Sequence, residues 1–193
     1  TGADDLAIFW DPYLDSPKPA IVGGYNGAQF ATYDSSLAQW TGSSSVGNTS
    51  RIEPSPSRLT GFMVQWSGRR ITPIIPGTVL ADANESQVFA NRGIYGGAYS
   101  PLGKRAMVVG RTSVDDASVI TWSSDSEDCY ELDDCPWVDR SIPGFTSPPY
   151  NATSNTYLMD VAYGDSGDWG MIVGGETSFS TQRGLMILFE ISN

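Results

Sequence analysis

The sequence predicts an all-β domain built from about four repeated units, and three observations carry that prediction. First, one pattern recurs. Residues 95–111 (YGGAYSPLGKRAMVVGR) and 158–175 (LMDVAYGDSGDWGMIVGG) each run from an aromatic-tipped apolar stretch through a polar turn into a small-apolar run closing on Gly. Residues 6–24 fit the same mould and 59–77 fit it loosely. Second, 21 Gly and 12 Pro punctuate the 193 residues at short intervals, which favours many short strands. Third, no apolar run keeps helical spacing beyond about two turns. Repetition of this kind means that each unit buries its faces only against its neighbours.

In chain order, strands are expected at about 6–10, 19–24 and 28–34. Residues 34–40 (DSSLAQW) read as a turn followed by an aromatic anchor. The Ser/Pro-rich stretch 41–57 reads as a loop between repeats. Strands are expected again at 59–66 and 69–75, the second demoted to an edge by Pro73 and Pro76. Residues 78–90 fit either two strands about an ADANES turn or one short helix, with strands favoured. Further strands are expected at 94–99, 105–111 and 117–123. An acidic loop at 124–140 and a Pro-rich loop at 143–156 follow. The chain closes with strands at 158–163, 169–175 and 185–191. The units divide as 6–57, 58–94, 95–157 and 158–193, within a single all-β domain spanning 1–193, with a fragment of a longer chain as the alternative.

Composition narrows function. The hydrophobic fraction of 40% is that of a globular chain, large enough for a sizeable core. A net charge of −11 opposes binding to nucleic acid and to anionic lipid. No apolar stretch is long enough to be inserted across a membrane. Thr1 in place of Met points to a processed or a trimmed N-terminus. Three glycosylation sequons, at Asn48, Asn84 and Asn151, each sit in a polar setting and point to secretion. Cys129 and Cys135 enclose five residues and suit a local disulfide in an oxidising compartment.

The absence of histidine removes a histidine base and leaves the two thiols short of a zinc site. Glycoside hydrolysis needs only paired carboxylates, for which Asp11, Asp15, Asp160, Asp165 and Glu176 are available. No cofactor is expected. The acidic loop, with Asp125, Glu127, Asp128 and Asp133, has the hard oxygen ligands of a calcium site, although its spacing is not that of an EF-hand. A solvated loop pinned by the disulfide is the plainer reading. Of the six tryptophans, Trp137 and Trp169 are expected to be the exposed ones and so the candidates for stacking on a sugar ring.

The units resemble blades of β-propellers. ATYDSSLAQWT (31–41) is similar to the Asp-box of sialidase-type repeats, with Asp34 and Trp40 in the motif's positions and its Gly missing. Residues 120–137 look like an expanded copy on Asp125 and Trp137. The resemblance implies structural roles for these residues. LAIFW and FMVQW also resemble the blade starts of fungal fucose-lectin propellers. The second strands matched to that family are AIVGG, ITPIIPG, AMVVGR and GMIVGG. Only one ends in Arg, making Arg111 a third ligand candidate. A β-sandwich or jelly roll is the alternative architecture.

The function expected is a secreted, non-catalytic glycoprotein module that recognises carbohydrate on a cell surface or matrix. One alternative is a self-assembling subunit of an extracellular filament or sheath, a homo-oligomer or polymer joined through the apolar last strand 185–191. The other is a glycoside hydrolase.

Overall fold

The computed structural model describes residues 3–11, 16–23, 29–34, 39–45, 49–58, 61–65, 70–74, 87–88, 92–112, 117–123, 137–140, 155–178 and 181–191. All regular elements among them are strands. They form four antiparallel meanders, each strand pairing with its neighbours in sequence. The first sheet holds β1 (Ala3–Asp11), β2 (Ser16–Gly23), β3 (Gln29–Asp34) and β4 (Gln39–Ser45). The second holds β5 (Thr49–Pro54), β6 (Gly61–Gln65), β7 (Arg70–Ile74) and β8 (Gln87–Val88). The third holds β9 (Arg92–Tyr99), β10 (Arg105–Thr112), β11 (Ala117–Ser123) and β12 (Val138–Arg140). The fourth holds β13 (Asn155–Tyr163), β14 (Trp169–Ser178) and β15 (Thr181–Glu190).

Successive sheets stack face to face, with β1 against β5, β5 against β9 and β9 against β13. The first strand of every sheet is therefore innermost. In the third sheet the second strand, β10, lies between two neighbouring sheets, which explains its unbroken apolar run. On β10, Val108 joins Phe62, Val64, Ile71, Ile94, Ala106 and Trp137 in one buried cluster. Met107 and Val109, on the opposite face of the same strand, join Leu158, Val161 and Ile172 in another. Among the described residues no packed interface joins the fourth sheet back to the first.

The structure corrects several expectations. Residues 41–45 and 49–54, expected within a loop, are strand. They supply β4 and the innermost strand β5, so the second sheet begins at 49 rather than 58. Backbone pairing with β3 and β6 overrides their Ser/Thr/Pro composition. FMVQ lies on a second strand, β6, and the ITPI segment on a third, β7. Residues 138–140, assigned to the acidic loop, form β12 against β11. Strand 88 is present as part of β8, whereas 78–86 lie outside the described residues.

The first and second strands of three sheets are joined by turns of one design. Arg58 N donates to Ser55 O, Gly103 N to Ser100 O and Gly167 N to Gly164 O. The residue that donates has positive φ in each case: 61° at Arg58, 71° at Gly103 and 75° at Gly167. Ser100 N also donates to Arg105 O, and Gly164 N to Trp169 O, closing the hairpins. Arg105 and Trp169 are thus equivalent positions in adjacent sheets.

Candidate functional site

The candidate site lies on the innermost strands. Each carries a register shift at the same level. The pairings skip one residue between Ala3 and Asp5, Thr49 and Arg51, Gly96 and Ile94, and Leu158 and Asp160. Bulges of this kind bend a strand and re-aim the neighbouring side chain, and they concentrate beside functional sites. The residues flanking the shifts are Asp5, Arg51, Gly96 and Asp160. They pair with Val22, Val64, Val109 and Val173, one equivalent valine per second strand. Four successive strands therefore present Asp, Arg, Gly and Asp at one height.

Arg51 Nη2 donates to Asp160 Oδ2 at 2.7 Å, past the innermost strand of the intervening third sheet. Gly96 makes this reach possible. A Cβ there would strike Met159 O and come within 2.7 Å of the Asp160 Cα. Asp160 Oδ1 is held in turn by the Val161 N–H at 2.9 Å, so both carboxylate oxygens are engaged and the group is oriented. The two side chains remain 38% and 40% exposed, which leaves donor and acceptor sites open to a ligand.

A second polar set lies at the turn end of the third and fourth sheets. Arg105 Nη1 approaches Asp168 Oδ1 at 3.5 Å. The Arg105 N–H donates to Ser100 Oγ at 3.1 Å. Tyr163 has its ring edge-on to Phe189, 5.5 Å between centroids. Burial pushes its hydroxyl far above the ordinary tyrosine range, with nearby Arg105 pulling weakly the other way.

The residues expected as a site do not converge. Trp137, expected to be exposed, is 7% exposed and belongs to the core. Its ring meets Phe62 edge-on at 5.1 Å, because β12 pairs onto β11 and draws it over the second sheet. Trp169 is 52% exposed at the start of β14. Arg111 lies six residues along β10 from Arg105, the equivalent of Trp169, so it is about 20 Å away at the opposite end. Among the candidate carboxylates, Glu176 pairs with Thr156 while Asp160 lies four residues further on β13, about 13 Å away. Asp165 is exposed in the turn after β13, so these three are not brought together. The backbone of Asp11 is described but not its side chain. Asp15, Asp125, Glu127, Asp128 and Asp133 lie outside the described residues, as do Cys129, Cys135, Asn48, Asn84 and Asn151. Arg51 and Gly96 were not legible as site residues. The signal that could have marked them is the extra residue in each first strand relative to the valine-bearing second strand.

No protein-family model matches the chain, and no curated protein does. Solved structures do. A functionally unknown protein from Desulfotomaculum acetoxidans is 13% identical, with a TM-score of 0.61, covering 98% of this chain and 56% of that one. The Cps50 (Swd1) β-propeller domain of Myceliophteria thermophila is 12% identical, TM-score 0.54, covering 100% and 56%. Regucalcin from Agrobacterium tumefaciens, a calcium-binding protein, is 13% identical, TM-score 0.51, covering 93% and 55%. With its four stacked meanders, the chain has a β-propeller-like, all-β fold, and its sheets are blades. It spans a little over half the length of these solved proteins.

Proposed function

We propose that the chain is a secreted, non-catalytic recognition module that binds carbohydrate on its axis. The Arg51–Asp160 pair is the observation that carries this reading. A fixed carboxylate and a fixed guanidinium, side by side, offer acceptors and planar donors suited to neighbouring hydroxyl groups. Their charges offset one another, so the pair favours a neutral polyhydroxylated ligand over an anion. Asp5 holds the equivalent register position in the first blade. Secretion rests on the sequons and the cysteine spacing.

The test is a glycan panel probed with the purified chain, followed by titration calorimetry on the best ligand. Arg51→Met and Asp160→Leu should each weaken binding at least tenfold while far-ultraviolet circular dichroism stays unchanged. Trp169→Ala should leave affinity within about threefold, because Trp169 is the counterpart of Arg105 at a blade end rather than an axial residue. A panel without saturable binding, or binding indifferent to both axial variants, sinks the proposal.

A further inference from the structure

The outer face of the fourth blade is the forward face of a repeat, and no other sheet among the described residues packs on it. Strand pairing makes Met171 and Val173 the counterparts of Met107 and Val109 in the third blade. Met107 and Val109 are buried because the next blade lies on them. Val173 is 37% exposed, and Met186 and Leu188, paired with Val173 and Met171, extend the same face on β15. Leu188 is 72% exposed. Contiguous apolar surface of this type marks an interaction site.

The complementary surface is on the same chain. Leu6 pairs with Ile21 and Ile8 with Pro19, one and three residues past the bulge-flanking Asp5. In the fourth blade the same positions hold Val161 and Tyr163, which pack backward against Met107 and Val109. Leu6 and Ile8 are exposed, while Ala7 between them is buried on the opposite face. Among the described residues the chain therefore carries exposed apolar side chains on one forward face and on one backward face, of the types that fill the interfaces between its own blades.

We infer that the fourth-blade face docks the first-blade face of a second copy of this chain. Met171 and Val173 of one copy receive Leu6 and Ile8 of the other, as Met107 and Val109 receive Val161 and Tyr163. Two copies related by a two-fold axis make this contact twice and close a ring of eight blades, within the range that propellers adopt. This differs from polymerisation through the edge of the last strand, since it buries faces and leaves no free end.

Light scattering on the unglycosylated chain across a concentration series tests it. The expected mass settles at about twice the 20.8 kDa of one chain. Val173→Lys and Leu6→Glu, each alone, should weaken the pair at least tenfold with circular dichroism unchanged. Mixing the two variants should restore a two-copy species, because one contact then joins Lys to Glu and the other is native. A wild-type mass that stays at one chain overturns the inference. A mass that grows without limit overturns the closed ring. A pair indifferent to both substitutions places the contact elsewhere and overturns it as well.

Discussion

Arg51 and Asp160 stand 109 residues apart in the chain, yet their side chains meet at 2.7 Å. The contact joins the second blade to the fourth over a glycine in the third. A half-exposed ion pair of this kind contributes little to stability, about 0–1 kcal/mol. Its consequence is geometric: it orients two charged groups on the axis.

Gly96 is the residue this arrangement tolerates least changing. A Cβ there meets the backbone of Met159 and Asp160, which cannot rotate away. Gly96→Ala should cost about 1–3 kcal/mol, the usual range for overpacking. Gly184→Ala is the control, since a Cβ at Gly184 meets nothing within 4 Å. It should shift stability by no more than about 0.5 kcal/mol. Urea denaturation midpoints of the two variants check the contrast.

Trp137 and Trp169 should separate in the same assay. Trp137 fills the core beside Phe62, so Trp137→Ala should cost about 3–5 kcal/mol. Trp169→Ala, at an exposed position, should cost much less, about 1 kcal/mol or below. Equal losses would contradict the burial described for the two rings.

The repeated turn predicts opposite effects at equivalent positions. Arg58 has φ 61°, in the left-handed region where a side chain costs about 1–2 kcal/mol. Arg58→Gly should therefore raise stability by about 0.5 kcal/mol once the added chain entropy of glycine is subtracted. Gly103→Ala, at φ 71°, should lower it by about 1 kcal/mol. Thermal melts of the two variants would show the signs directly.

Tyr163 predicts a loss of stability in alkali. Its hydroxyl titrates higher in the folded chain than the ordinary value of 10.0, because burial disfavours the phenolate. The stability this contributes is fully present below pH 10 and is lost as pH rises from there toward the folded value. Melting temperatures measured from pH 8 upward should fall more steeply above pH 10 for the native chain than for Tyr163→Phe. Parallel curves would refute the assignment.

Much of the strand order was legible because its cues are local. The apolar run of β10 and the Gly and Pro boundaries placed 105–111 and 117–123 close to the observed strands. Strands β4 and β5 were not legible, since Ser, Thr and Pro favour loops and only pairing with β3 and β6 holds these residues extended. Trp137 shows the same limit: an acidic neighbourhood suggests solvent, while pairing of β12 onto β11 puts the ring in the core.

An all-β chain of about four repeats follows from local cues, because hydrophobic period and turn chemistry act over a few residues. Which residues share the axis depends on the pairing of strands and the stacking of blades. One extra residue in each innermost strand shifts the register by one, and a strand's side chains alternate faces with every residue. That shift brings Asp5, Arg51, Gly96 and Asp160 to one level. It depends on pairing between strands, not on any local run of residues, so this common level exists only once the blades have stacked.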